Sequence, residues 1–482
     1  MEYAKLITYL KRYSFPAKMT IAQNYSRKIY NLEGLVSPNE LRTGVAPWTL
    51  ETFLLLSITA QEWKYDSFAG CNGQKVFIKM INAIDDYQKM PTDAASSNER
   101  VNWLFAANLP VQFDVQQDER LKFFRYHYYF TFHNSTINLQ KRFTEKFECD
   151  YDQYVELAQL LWIAFTNDGF DSGAFAKIIN EFKLPVSHLL LSRQQYIREL
   201  EKFSDMPEDY IACIRPSYSY PFIEFENTLY CPLPHVLRRA VTSSMMYRLT
   251  EDDEALRRQI GKEVYENYLF SIIKGSKLFD EVIPEKDYHR QKSAAKTLDV
   301  MCRKETAYLF FDSKSFTPKR KIRLFSDEAL ESDIKRLADA CKQVYQHIRA
   351  KFGKEYNYFE CRGELCEDNI FGIVVVQEEV FILDDRVHQE AAVNLGISID
   401  SQEYMWLCKH IGIVSLYDIE RFCFTGSDMF KAIYETNAKY RCAVNWLRCP
   451  AQNEYTYEPL IEFCLQLNER INQHAKEIFD MQ

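Results

Sequence analysis

Two aspartates and a lysine in the segment TLDVMCRKETAYLFFDSKSF (297–316) have the types and spacing for divalent-metal chemistry. The run AYLFFDSKSF (307–316) reads as a strand, along which side chains alternate between faces. Asp312 and Lys314 therefore emerge together with Tyr308 and Phe310, and Ser313 points the other way. If RKET (303–306) makes the hairpin turn, Cys302 falls opposite Ala307 and Asp299 opposite Phe310. That register puts Asp299 on the face of Asp312 and Lys314, at a diagonal separation of about 7 Å. Two carboxylates at that spacing can converge on one Mg²⁺ or Mn²⁺, hard cations that keep part of their water shell and also accept a phosphate oxygen. Such an ion activates a bound water and neutralises charge building on phosphorus, and a lysine beside it orients the nucleophile or stabilises the transition state.

The elements that must position these groups are legible around them. Residues 252 to 274 read as a helix, acidic in its first turn, with Leu256, Ile260, Val264, Tyr268 and Ile272 on one stripe and Gly275 to close it. This helix offers Glu266, with Glu263 one turn earlier, as a further carboxylate, and geometry must choose between them. Three strand-like runs follow, KLFDEVI (277–283), KTLDVMC (296–302) and the Asp312 strand. A second helix opens at Ser326 and Asp327, buries Leu330, Ile334, Leu337, Cys341, Val344 and Ile348, runs to Gly353, and carries Gln343 toward the same pocket. FGIVVVQEEVFIL (371–383) reads as further strand. Helix, three strands, helix, strand implies a mixed sheet with helices packed against it. Residues 1–240 read as a mostly helical scaffold or sensor region, 241–395 as the core with the chemistry, and 396–482 as a smaller helical C-terminal region. The expected class is α+β, predominantly helical.

In this arrangement the segment resembles the PD-(D/E)XK nuclease superfamily, whose pattern of a Glu-bearing helix, strands with Asp and then Asp/Glu-x-Lys, a helix and a further strand is similar to residues 252–383. GKEVYENYL (261–269) also resembles the G-x-x-(F/Y)-E-x-Y opening common in that superfamily. Asp299 follows Leu298 where the superfamily name has Pro. The resemblance implies a restriction-endonuclease-like mixed sheet flanked by helices. It also implies Mg²⁺ (or Mn²⁺) held by Asp299, Asp312 and Glu266, and catalysis by Asp299, Asp312, Lys314 and Glu266 as an endonuclease on DNA or RNA. Large helical additions are similar to those of bacterial single-protein anti-phage effectors, which implies a phage trigger such as capsid protein. Self-association is left open.

Composition narrows the alternatives. Of 482 residues 47% are hydrophobic and 26% charged, which excludes a disordered or low-complexity chain, and only 14 Gly and 15 Pro leave few turns between helices. The net charge of −9 excludes a general polyanion binder. Residues 285 to 323 nevertheless carry eleven Lys or Arg against five Asp or Glu. Lys319, Arg320, Lys321 and Arg323 directly follow the Asp312 strand and suit phosphates flanking a cut, and Arg238 and Arg239, near His235, are candidates for the same groove, with a capped helix carrying a charged side as an equal alternative. The apolar runs FLLLSITA, LLWIAF and FGIVVV are too short to cross a bilayer, and MEYAKLITYLKRYSF lacks the apolar core of a signal peptide, so a cytoplasmic protein without a membrane span is expected. Its 13 Cys are odd in number and read as reduced, buried thiols.

Glu62-x-Lys64, Glu181-x-Lys183 and Asp333-x-Lys335 repeat the tripeptide in apparently helical surroundings, where i and i+2 do not share a face. The aromatic run FFRYHYYFTFH (123–133) reads as core, with base stacking as the alternative. Against the nuclease stand an exposed strand with an ordinary ion pair, a nucleic-acid or protein-binding scaffold with an inactive nuclease-like domain, and a ribonuclease using Arg120 and His127.

Overall fold

The computed structural model describes residues 3–30, 45–64, 66–88, 117–166, 172–207, 210, 213, 215–290, 293–315, 327–360, 365–378, 380, 382, 384–439, 446–447 and 454–479. Among them the protein is α+β and predominantly helical, with three small sheets. Strands β1 (Leu190–Ser192), β2 (Phe222–Phe225) and β3 (Thr228–Tyr230) form one, inside the half expected to be helical. Strands β5 (Asp287–Arg290) and β6 (Ser293–Lys296) pair as a separate hairpin.

The third sheet is central and mixed. It contains β4 (Glu281–Pro284), β7 (Val300–Lys304), β8 (Ala307–Lys314), β9 (Ile370–Val376) and β10 (Ile411–Ser415), in the order β10-β9-β8-β7-β4. β4, β7 and β8 run as an antiparallel meander. β9 and β10 continue parallel to β8, which requires crossovers, supplied by the helices Asp327–Gln346, Asp384–Leu395 and Gln402–His410. Met301, Tyr308, Phe310, Val374 and Ile411 pack against these crossover helices. Val300, Leu309, Phe311, Ile373 and Val414 face the opposite layer, built from the helices Glu119–Thr131, Glu266–Gly275, Leu416–Thr425 and Glu458–Phe479.

The helical stripes fold as their periodicity predicts. Leu256, Ile260, Val264, Tyr268 and Ile272 are all buried, as are Leu330, Ile334, Leu337, Cys341, Val344 and Ile348. In the aromatic run, Phe123, Phe124, Tyr126, Tyr129 and Phe130 are core residues, and Tyr129 packs its ring on Tyr265 and Tyr268. Nine of the described cysteines are free thiols. No helix among the described residues is long and apolar enough to cross a membrane.

Two expectations are corrected. The C-terminal region is not wholly helical, because IGIVS (411–415) is the fifth strand of the central sheet and carries that sheet beyond residue 396. A short apolar strand buried on both faces lacks the polar alternation that would reveal it. The β7–β8 hairpin also closes more tightly than RKET suggests. Lys304 pairs with Ala307 across the two-residue loop Glu305–Thr306, and Glu305 adopts the positive φ, 52°, that such loops need. The register therefore slips by two residues, Cys302 facing Leu309 and Val300 facing Phe311. A slip of two preserves the faces of the strand but moves Asp299 from the level of Phe310 to that of Asp312.

Gly372, at the centre of β9, lets the Asp327–Gln346 helix lie close on the sheet. A Cβ there would stand 2.3 Å from Val344 Cγ1 and 2.8 Å from Ile348 Cδ1. Gly372→Val should cost about 1–3 kcal/mol by overpacking, read as a lowered denaturant midpoint, and Gly372→Ala should cost less.

Candidate active site at the end of β8

β8 outlasts its neighbour. The ladder to β7 ends at the Val300–Phe311 pair, whereas β8 and β9 stay paired through Lys314–Val376. Ser313 thus presents a backbone N–H where β7 has no carbonyl to meet it, and a buried N–H must find an acceptor. Asp299, in the bend before β7, supplies one: its Oδ2 accepts from Ser313 N at 2.6 Å and from Ser313 Oγ at 2.7 Å. The residue expected simply to share a face with Asp312 and Lys314 instead caps the end of the strand that carries them.

Asp312 is 2% exposed, on the face of β8 covered by the Asp327–Gln346 helix. Lys314 Nζ lies 2.6 Å from Asp312 Oδ2 and pairs with it, and no hydrogen bond from another described group reaches that buried oxygen. Lys314 also donates to Gln343 Oε1 at 3.2 Å, placing Gln343 where its helical position predicts. The ammonium is thereby held between a strand carboxylate and a helix amide. His347, one turn beyond Gln343, feels burial first and then Lys351 and Lys314, which together push its pKa down to about 4.

The helix contributes Glu266 rather than Glu263. GKEVY (261–265) forms a single π-helical turn, a wide turn frequent at functional sites. Gly261 opens it against the end of β8, where a Cβ would lie 3.4 Å from Ser315 Oγ. In an unbroken α-helix residues three apart share a face. Across the π turn the two acids diverge: Glu263 accepts from Asn134 at 3.0 Å, and Glu266 joins the carboxylates at the sheet end.

The electrostatics show the convergence. Burial, then Asp299 and Glu285, push the Glu266 pKa up to about 8, against relief from Lys262 and Lys296. Burial, then Asp299, push Asp312 up to about 6, against relief from Lys314. Asp299 is raised by burial and by Glu285, although Ser313 and Lys314 act to lower it. These acids share a poorly solvated place in which the nearby lysines offset only part of their repulsion. Glu285, paired with Lys296, is a participant that the sequence reading missed. Its signal was its position immediately beyond Pro284, at the end of an adjacent strand. Among the described residues no three His, Cys, Asp or Glu side chains stand together as a ready ligand cluster.

Other candidates lie elsewhere or have other partners. Arg238 is buried and donates to the Gln117 carbonyl at 2.7 Å, and Arg239 lies over the Tyr218 ring at 4.1 Å. Both have partners within the N-terminal half of the chain. His235 is likewise buried, with Ser26 and Glu51 as partners. Lys319, Arg320, Lys321 and Arg323 lie outside the described residues. Arg120 pairs with Asp118 and His127 with Asp152, so they do not form one site. Glu62 is not helical: it follows the Pro47–Thr59 helix and is clamped between Lys18 and Arg193. Compared with protein-family models, curated proteins and solved structures, the chain gives no match.

The raised acids fix the sign of a pH effect. The folded site holds protons that an unfolded chain would release, so its contribution to stability is complete below about pH 4 and is lost as pH rises through about 6 at Asp312 and about 8 at Glu266. Glu266→Gln should therefore raise the melting temperature at pH 8 and leave it nearly unchanged at pH 4, as followed by thermal unfolding in metal-free buffer.

Proposed function

We propose that the chain is a metal-dependent nuclease of the PD-(D/E)XK kind, hydrolysing phosphodiester bonds at the end of a restriction-endonuclease-like sheet. The observation that carries this reading is the meeting of Lys314 with buried Asp312, beside Asp299 and Glu266, all three acids having raised proton affinity. A buried carboxylate with only a lysine as its partner, among acids that repel one another, fits a site for a divalent cation. Mg²⁺ needs only one or two carboxylates besides water and substrate phosphate. Asp299 and Asp312 would hold it, with Glu266 as the further acid. When bound, the ion supplies Lewis acidity and a water of lowered pKa.

The protein's own groups account for the rest. Lys314, steadied by Asp312 and Gln343, offers its ammonium to a non-bridging phosphate oxygen or to the attacking water. Glu266 keeps its proton at neutral pH and gives it up where positive charge arrives. Ser313 fixes the Asp299 carboxyl, limiting the movement that would blur the site. The cations at 319–323 follow β8 closely enough in sequence to neutralise flanking phosphates. By resemblance alone, the helical regions of such an enzyme serve as sensors, and a phage component such as capsid protein is the trigger proposed for them.

One observation favours a second reading, a binding scaffold with an inactive nuclease-like domain: Asp299 Oδ2 is already engaged twice by Ser313. The two are separated by incubating the full chain with plasmid, single-stranded DNA and tRNA, with Mg²⁺ or with chelator. Cleavage should require the metal and fall at least about a hundredfold in Asp312→Ala and in Lys314→Ala. Cleavage that survives both substitutions discards this site. In parallel, Mg²⁺ should raise the melting temperature of the parent protein and not of Asp312→Ala, a readout independent of turnover.

A further inference from the structure

Tyr358 is 40% exposed, although its neighbours in the loop following the Asp327–Gln346 helix, Phe352, Tyr356 and Phe359, are core residues. It is nonetheless firmly held. Its hydroxyl donates to the Asp287 carbonyl at 2.8 Å, tying it to the β5–β6 hairpin. One side of its ring lies on Tyr356, centroids 5.9 Å apart and planes within 21° of parallel. Tyr356 in turn packs against Tyr288 of the hairpin at 4.9 Å. The outcome is a short stack of rings, anchored at its inner end and ending in the partly exposed Tyr358.

His347 links this stack to the site. The Tyr356 hydroxyl is 3.4 Å from His347 Nδ1, and His347 is near enough to Lys314 to feel its charge. The segments carrying the rings, 286–290 and 351–360, hold Lys286, Arg290, Lys351 and Lys354 against Asp287, Glu355 and Glu360, a net of one positive charge. They offer a strand a ring face rather than a phosphate clamp. A ring fixed before binding costs little further side-chain entropy, and stacking on it requires a base whose own face is free. Bases paired within a duplex have no such face to give.

Building on the nuclease reading, we propose that Tyr358, backed by Tyr356, is the stacking platform for an unpaired base of a single strand entering the Asp312–Lys314 site. This names the substrate class as single-stranded nucleic acid, or a single-stranded flank of a duplex.

The test uses the full chain carrying Asp312→Asn to stop turnover, with fluorescein-labelled single-stranded DNA, single-stranded RNA and a blunt duplex as probes in fluorescence anisotropy. Adding Tyr358→Ala should weaken single-strand binding about tenfold, the worth of one stacked base, and leave duplex binding as it was. Tyr358→Phe, which loses the tether and keeps the ring, should stay within about twofold of the parent. Tyr358→Trp should show indole quenching with single strands alone. Equal weakening for single strand and duplex, or no change in Tyr358→Ala, overturns the platform. If the otherwise unsubstituted Tyr358→Ala chain cuts nucleic acid in a Lys314-dependent way while its Asp312→Asn form binds single strands as the parent does, the platform falls and the nuclease stands. If no probe is bound and none is cut, both fall.

Discussion

Carboxylates crowded into a place with little water impose the constraint on which this protein is organised. Asp299, Asp312, Glu266 and Glu285 act on one another near the end of β8, and burial deprives them of the screening that would make such a cluster tolerable at a surface. Lys314 offsets part of the repulsion and Ser313 fixes one member, but the proton affinities of Asp299, Asp312 and Glu266 remain raised. A fold that keeps such a site gives up stability at neutral pH.

Holding these groups against their repulsion requires rigid surroundings, which come from distant parts of the chain. Arg125, in the Glu119–Thr131 helix, makes a buried ion pair with Glu420 of the Leu416–Thr425 helix. Tyr268, two residues beyond Glu266, donates to the same Glu420 carboxylate at 2.6 Å. One buried carboxylate thereby joins the helix bearing Glu266 to an N-terminal and a C-terminal helix. Breaking such a pair by removing one partner is more costly than the pair is worth, because a buried charge is left alone. The helical regions are thus mechanically continuous with the site.

The geometry of the site also depends on small irregularities. β8 extends beyond β7, which creates the unmet N–H that draws in Asp299. The π turn at Gly261–Tyr265 separates Glu263 from Glu266, two acids that a regular helix would have aimed together. A two-residue hairpin loop sets the level at which Asp299 meets Asp312. None of these is a long-range feature, yet each decides which atoms meet.

The sequence alone determined what local periodicity controls. The stripes of Leu256 to Ile272 and Leu330 to Ile348, the strand alternation that joins Asp312 to Lys314, and the position of Gln343 were legible because a helix repeats every 3.6 residues and a strand every two. Only the tertiary structure decided the rest. The strand at 411–415, the arrival of Glu285 and the internal partners of Arg238 and Arg239 depend on segments distant in sequence, while the slip in the β7–β8 register and the choice of Glu266 turn on local irregularities that periodicity does not reveal. Which carboxylates share a dry space is a property of packing, and composition and spacing do not encode the dielectric in which a charge will lie.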